Sequence, residues 1–149
     1  MGFQKLSLKG RALKLLAARE HSRSELEKKL ASHEEVPGEL AQALDELQAK
    51  GFISEQRVVE SVLHRRAARL GTGRVKQELQ AKGISAEVVA DAIDALRSTE
   101  MERAREVWRK KFGEPAADAA GRAKQMRFLA ARGFGADAIR RVVSGADED

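Results

Sequence analysis

The sequence predicts an all-α protein, an elongated, curved array of three tandem three-helix repeats with nine helices in all. Three observations carry this prediction. Residues 79–83, Leu-Gln-Ala-Lys-Gly, recur as residues 129–133, Leu-Ala-Ala-Arg-Gly, and the apolar positions stay in step beyond each glycine: Ile84, Val89 and Ile93 match Phe134, Ile139 and Val143. A weaker copy lies upstream, where Leu30, Leu40, Leu44 and Leu47 match Leu79, Val89, Ile93 and Leu96. Only 4% of the residues are aromatic and two are proline, while Ala, Leu, Glu, Lys and Arg dominate, the profile of helices joined by short loops. A unit that cannot bury its apolar stripe alone stacks on copies of itself.

Punctuation then places each helix. Residues 8–19 carry Ala12, Leu13, Leu15 and Leu16 at helical spacing, and Ser22 with Glu25 offers a capping box for a second helix ending near Ser32. Pro37 suits the first turn of a third helix, whose buried stripe of Leu40, Leu44 and Leu47 runs until Gly51 stops it. The second repeat reads as helices over 54–70, 73–82 and 86–97, with Gly71, Gly73 and Gly83 at the junctions. In the third, Thr99 with Glu102 predicts a cap for a helix reaching Phe112, followed by helices over 116–132 and 135–144. The repeats therefore span residues 5–52, 53–98 and 99–145, and residues 146–149 form an acidic tail expected to be disordered.

Several function classes are excluded at this level. With no cysteine, the chain has no disulfide and no thiolate metal site, which fits a reducing compartment. No apolar run approaches the roughly 20 residues of a membrane span, nor the form of a signal peptide. The expectation is a soluble, cytoplasmic monomer without cofactor, metal or membrane partner.

Charge is concentrated. The net charge is +5 at pH 7, and residues 65–82 hold Arg65, Arg66, Arg69, Arg74, Lys76 and Lys82 against Glu78 alone. The last repeat has the same bias: Arg122, Lys124, Arg127, Arg132, Arg140 and Arg141 oppose only Asp137, and Arg109, Lys110 and Lys111 precede them. A solvated helix face accounts for one such cluster; its recurrence in two repeats predicts a surface for an acidic protein or a nucleic acid. Arg65 and Arg69, four apart on one face, repel each other, and an anionic partner relieves that repulsion.

Catalytic patterns are thin. His21, His33 and His64 have no metal-ligand spacing and read as surface or cap-region histidines, and no nucleophile has a visible base. An enzyme acting through His21 with Glu20 or Glu25 ranks last, because adjacent charged residues at an exposed helix cap lack a buried pocket. Gly71-Thr72-Gly73-Arg74 is half of a phosphate-cradling loop without a preceding strand, and reads instead as a helix stop and start, Gly71 taking a positive φ and Gly73 allowing close helix approach. Trp108 continues an apolar stripe with Met101, Ala104 and Phe112, a core pattern.

These residues also carry a resemblance. The run 17–22, Ala-Ala-Arg-Glu-His-Ser, followed by Glu25-Leu26 and Lys28-Lys29-Leu30, resembles the opening signature of the RecX family of RecA regulators. Gly51-Phe52-Ile53, the segment from Gly71 through Gly73-Arg74-Val75 and Gln77-Glu78-Leu79 to Lys82-Gly83-Ile84-Ser85, then 111–115 and 127–134, resemble the family's later motifs in the same order. Two positions depart: Thr72 stands where an aromatic is common, and residues 54–58 replace an acidic pair and its following aromatic. The resemblance, which covers residues 8–144, implies a non-enzymatic inhibitor. It would bind the RecA–single-stranded-DNA filament along its helical groove and lower its ATPase, coprotease and strand-exchange activities. The expected contact surface is Arg65, Arg66, Arg69, Arg74, Lys76 and Lys82, with Arg109, Lys110, Lys111, Arg127 and Arg132 as a second cluster. The alternative is a general nucleic-acid-binding helical module that acts without a recombinase, with affinity falling steeply with salt.

Overall fold

A computed structural model of the chain describes residues 6–145; the predicted acidic tail, 146–149, lies outside them. Among the described residues there are nine α-helices and no strand. The first repeat holds α1 (Leu8–Ala18), α2 (Arg23–Leu30), which runs on into a 3-10 turn (Ala31–His33), and α3 (Glu39–Ala49). The second holds α4 (Glu55–Arg66), α5 (Thr72–Ala81) and α6 (Ala86–Arg97); the third holds α7 (Glu100–Lys111), α8 (Ala119–Ala131) and α9 (Ala136–Ser144).

Each repeat buries its own apolar stripes. Ala12, Leu26, Leu30, Leu44 and Leu47 form the first core, Val58, Val62, Val75, Leu79 and Ile93 the second, and Ala104, Leu129, Phe134, Ile139 and Val143 the third. Burying each of the Leu, Ile, Val and Phe side chains contributes roughly 1.5–3 kcal/mol, so the three cores are the main cohesive term. Trp108 belongs to the third core, and its Nε1 donates to the buried Gln125 Oε1 at 2.9 Å, so the predicted stripe is core as expected.

Local chemistry moves several predicted boundaries. Pro37 precedes the helix instead of opening it: Gly38 takes φ 89° as its cap, Glu39 N donates to Val36 O, and Glu34 Oε2 accepts from Leu40 N at 2.8 Å. α4 ends at Arg66 and not at Leu70, since the Ala67 and Leu70 carbonyls turn out to accept from the Arg103 guanidinium at 2.9 and 2.5 Å. Thr99 caps nothing: its hydroxyl donates back to Leu96 O and accepts from Arg103 Nε. α8 starts at Ala119, three residues later than expected, because Asp118 carries the side-chain acceptor that Ala116 lacks and takes Gly121 N at 2.7 Å. The capping box of Ser22 and Glu25 forms as predicted.

The repeats join through their second helices, which meet end to end. The carbonyl end of α8 abuts the amide end of α5, where Gly71 N donates to Arg132 O at 2.7 Å and Gly73 N to Gly133 O at 3.0 Å. One repeat earlier, the carbonyl end of α5 abuts the amide end of α2, where the Ser22 hydroxyl donates to Lys82 O at 2.5 Å. The three helices thus run head to tail in the order α8, α5, α2. Aligned dipoles face each other favourably at both joints, and the terminal amides and carbonyls that every helix leaves unpaired satisfy one another.

Gly71 does not take a positive φ; its φ is −75° and its value is its size. A Cβ there would overlap the Gly133 carbonyl carbon and the Phe134 amide, both immobile backbone. Gly133 faces it with φ 90° against Arg74 N, a conformation and a gap that suit glycine alone.

Candidate functional site

The basic residues singled out in the sequence separate into two groups by what they touch. In the first group Arg66, Arg74 and Lys82 also have partners within the protein, and Lys76 stands apart. Arg66 Nε lies 3.4 Å from Glu78 Oε1 and ties α4 to α5; Arg74 donates to Ala131 O at 3.0 Å, capping α8 from the neighbouring repeat. Lys82 sits in the first joint, 3.4 Å from Glu25 Oε2 with only 16% of its side chain exposed. Lys76 is exposed in a separate groove between α5 and α6, lined also by Ile84, Val89, Ile93, Asp94 and Arg97.

The second group converges. Arg69 from the loop after α4, Lys110 and Lys111 from the end of α7, and Arg132 from the end of α8 line one groove over Ala68, Val107 and Phe128, with Glu106 its single acid. Glu106 is already engaged, 3.0 Å from Arg109 and 4.0 Å from Lys110. Phe128 holds two of the cations in place: the Arg132 guanidinium lies 4.8 Å from its ring centroid and the Lys111 ammonium 5.4 Å, while Phe112 packs against it edge-on. Arg65 is one turn before Arg69, whose guanidinium donates to its carbonyl, and Arg127 is exposed on α8. One member of the first cluster, Arg69, therefore joins Lys110, Lys111 and Arg132 of the second in one cationic groove across the joint between the second and third repeats.

Arg103 positions that groove, and sequence reasoning missed it. Its guanidinium reaches the Ala67, Leu70 and Leu96 carbonyls and the Thr72 hydroxyl, so an arginine of α7 fastens the loop that carries Arg69. Burial pushes its pKa below the usual arginine value, with Glu100 opposing the shift. No local pattern marks it, because its Ala67, Leu70 and Thr72 partners lie 36, 33 and 31 residues upstream and only Leu96 O is close in sequence. The Gly71-Thr72-Gly73 amides, which half resemble a phosphate loop, are likewise occupied, Gly71 and Gly73 by the α8 carbonyls and Thr72 N by Glu100 Oε1 at 3.1 Å.

The three histidines do not meet, and no group of three or more His, Cys, Asp or Glu among the described residues is arranged to hold a metal. His21 is buried, 2% exposed; its Nδ1 donates to Arg19 O at 3.0 Å and its Nε2 accepts from Lys29 Nζ at 3.2 Å. Burial lowers its pKa below 6.5, and the nearby Arg19 and Lys29 charges add to the shift. Glu25 is the counterpart: burial pushes its carboxyl up, but Arg19, the Ser22 amide and Lys82 outweigh this and bring it down to about 2. No helix among the described residues is long and apolar enough to cross a membrane.

Three family models match in order: the first three-helix domain of RecX over residues 9–47, the second over 54–93 and the third over 98–143. The chain is 59% identical over 144 residues to the regulatory protein RecX of Leptothrix cholodnii, covering 97% of this chain and 92% of that one. It is 47% identical to that of Ralstonia nicotianae, covering 97% and 91%. The fold matches the crystal structure of RecX from Lactobacillus salivarius with a TM-score of 0.79 at 20% identity, over 94% of each chain. With three-helix domains matched in series and relatives this similar along almost its whole length, the chain belongs to the RecX family of regulatory proteins.

Proposed function

We propose that this protein is a non-enzymatic regulator that binds the RecA–single-stranded-DNA filament in its helical groove and inhibits RecA's ATPase, coprotease and strand-exchange activities. It thereby tempers recombination, DNA repair and the SOS response, acting as a monomer in the cytoplasm. The observation that carries the reading is the cationic groove at the second joint, where Arg69, Lys110, Lys111 and Arg132 face outward against one already paired acid. Such a groove attracts a polyanion, whether acidic protein surface or DNA phosphate, and its rim draws on two repeats held at fixed spacing. The contact surface is accordingly Arg69, Lys110, Lys111 and Arg132, with Arg65, Arg109 and Arg127 around it; Arg66, Arg74 and Lys82 act through the fold.

The test is single-stranded-DNA-dependent ATP hydrolysis by RecA of the same organism, titrated with this protein and with an Arg69→Glu/Lys110→Glu variant. The expected result is inhibition at less than one molecule per RecA subunit, lost in the variant while its helical circular dichroism is unchanged. Undiminished inhibition by the variant rejects the groove, and tight DNA binding without inhibition supports the general nucleic-acid module instead.

A further inference from the structure

The column of second helices ends at the C-terminus of α2, and a groove of about 320 Å³ opens there between α1 and the 3-10 turn. Its floor is aliphatic, made by Leu6, Leu15 and Leu30, and Leu6 is 50% exposed. Its rim is basic: Arg11 and Lys14 stand one turn apart on α1 and Lys29 on the opposite wall with the His33 imidazole; no carboxylate of the described residues lines it, and Glu35 and Glu39 line the adjoining groove that shares Leu6, Arg11 and His33. The other grooves described each include an acid: Asp94 between α5 and α6, Asp137 between α8 and α9, and Glu106 in the cationic groove above. Lys29 is held in place by the neutral His21 imidazole, 3.2 Å away, while its side chain stays exposed.

We infer that this groove docks an acidic segment of a partner protein, a peptide that lays one or two aliphatic side chains on the leucine floor and sets carboxylates against Arg11, Lys14 and Lys29. Charge complementarity selects the acidic partner, and the floor selects peptide over nucleic acid: bases stack on aromatic rings, and none of the described residues lining the groove is aromatic apart from the His33 imidazole at its rim. Apolar anchoring supplies affinity here, and the charged rim supplies orientation and encounter rate. The inference stands apart from the RecA reading, since it involves the opposite end of the helix column and different residues.

The probe is a fluorescein-labelled peptide of aspartate and glutamate with two leucines, followed by anisotropy on the full chain. Controls are the same peptide with serine for leucine, and an oligothymidylate of equal charge. The expected result is saturable binding of the leucine peptide. It weakens about tenfold or more, at least roughly 1.4 kcal/mol, in a Lys14→Glu/Lys29→Glu variant, in Leu6→Ser, and with the serine peptide. Oligothymidylate binding and RecA inhibition stay as in the unmodified protein. Leu6→Ser guards against misfolding, since that side chain is half outside the core. No binding, equal binding by the variants, or equal binding of the serine peptide overturns the inference, and loss of oligothymidylate binding in the lysine variant reassigns the groove to nucleic acid.

Discussion

The two joints of this array use the same register and different chemistry. Ser22 in the first repeat and Gly71 in the second occupy equivalent positions at the start of a second helix, and both donate to the same carbonyl of the next repeat, Lys82 O in one case and Arg132 O in the other. At the first joint the donor is a side chain, and around it lie Glu25, 2.8 Å from Arg19 and 3.4 Å from Lys82, and Arg57, 2.8 Å from Glu20 of the preceding repeat. At the second joint the donors are backbone amides brought close by three glycines, sealed by Arg103 and Arg74 on carbonyl oxygens. The second joint is held by backbone contacts that tolerate no added volume, whereas the first, which also packs Gly83 closely against Ser24, rests on buried and charged side chains and so responds to pH and salt. The cationic groove is built on the rigid joint, where its four cations keep their spacing.

The largest way to break this contrast is Gly71→Ala. The added Cβ meets backbone on the far side, so the second joint must open; overpacking of this kind costs about 1–3 kcal/mol, read as a lower melting temperature and a shift of Trp108 fluorescence. The matching change in the first joint, Ser22→Ala, adds no volume and removes one hydroxyl, so it lowers stability by about 1 kcal/mol through the lost cap and the lost bond to Lys82 O. Equal effects from the two substitutions would contradict the distinction between a packed and a polar joint.

Arg103→Leu ranks between them. It retains part of the packing but leaves the Ala67 and Leu70 carbonyls without their charged donor, which costs about 2 kcal/mol at the scale of hydrogen bonds to ionised groups. If Arg103 positions the groove, weakened RecA inhibition accompanies this loss at temperatures where circular dichroism shows the chain fully helical. Normal inhibition there would make Arg103 a stability residue alone.

How far the sequence foretold these features follows from the range of the interactions. The helices were legible because amphipathic period, capping box and glycine stops act within a few residues, as the Ser22–Glu25 box and the stripe of Met101, Ala104 and Trp108 illustrate. The repeat was legible because the same stripe returns. The roles of the charged residues were not. Lys82 and Arg132 are equivalent basic positions, yet one side chain turns into a joint and the other into a groove, and only the partner in space, Glu25 or Phe128, decides which. The basic rim of the α1–α2 groove was hidden for the converse reason: Arg11, Lys14 and Lys29 are interspersed with other residues and converge only when the two helices pack.

The sharpest test of the comparison is acid, because His21 and Glu25 both lie at the first joint, while the other acid-range group with a clear shift, Glu46, pairs with Lys9 on the surface away from either joint. Burial lowers the His21 pKa below 6.5, so as pH falls past 6.5 the unfolded chain takes up a proton that the folded chain refuses, and stability declines with falling pH. Glu25 acts lower down: its folded pKa near 2 against 4.5 unfolded gives stabilisation that is complete above pH 4.5 and lost as pH falls from there towards 2. Both groups sit where α2 meets α5, whereas the second joint is held by amides, carbonyls and guanidinium groups that do not titrate in this range, with Glu100 its one carboxylate. Trp108, the chain's single tryptophan, reports the third repeat, and circular dichroism reports all three. Between pH 7 and 4 the dichroism melt is expected to move to lower temperature ahead of the Trp108 fluorescence melt, and Glu25→Gln is expected to produce part of that separation at pH 7. Melts that stay superimposed at every pH would mean that the two joints unfold as one, and that the difference in their chemistry carries no difference in strength.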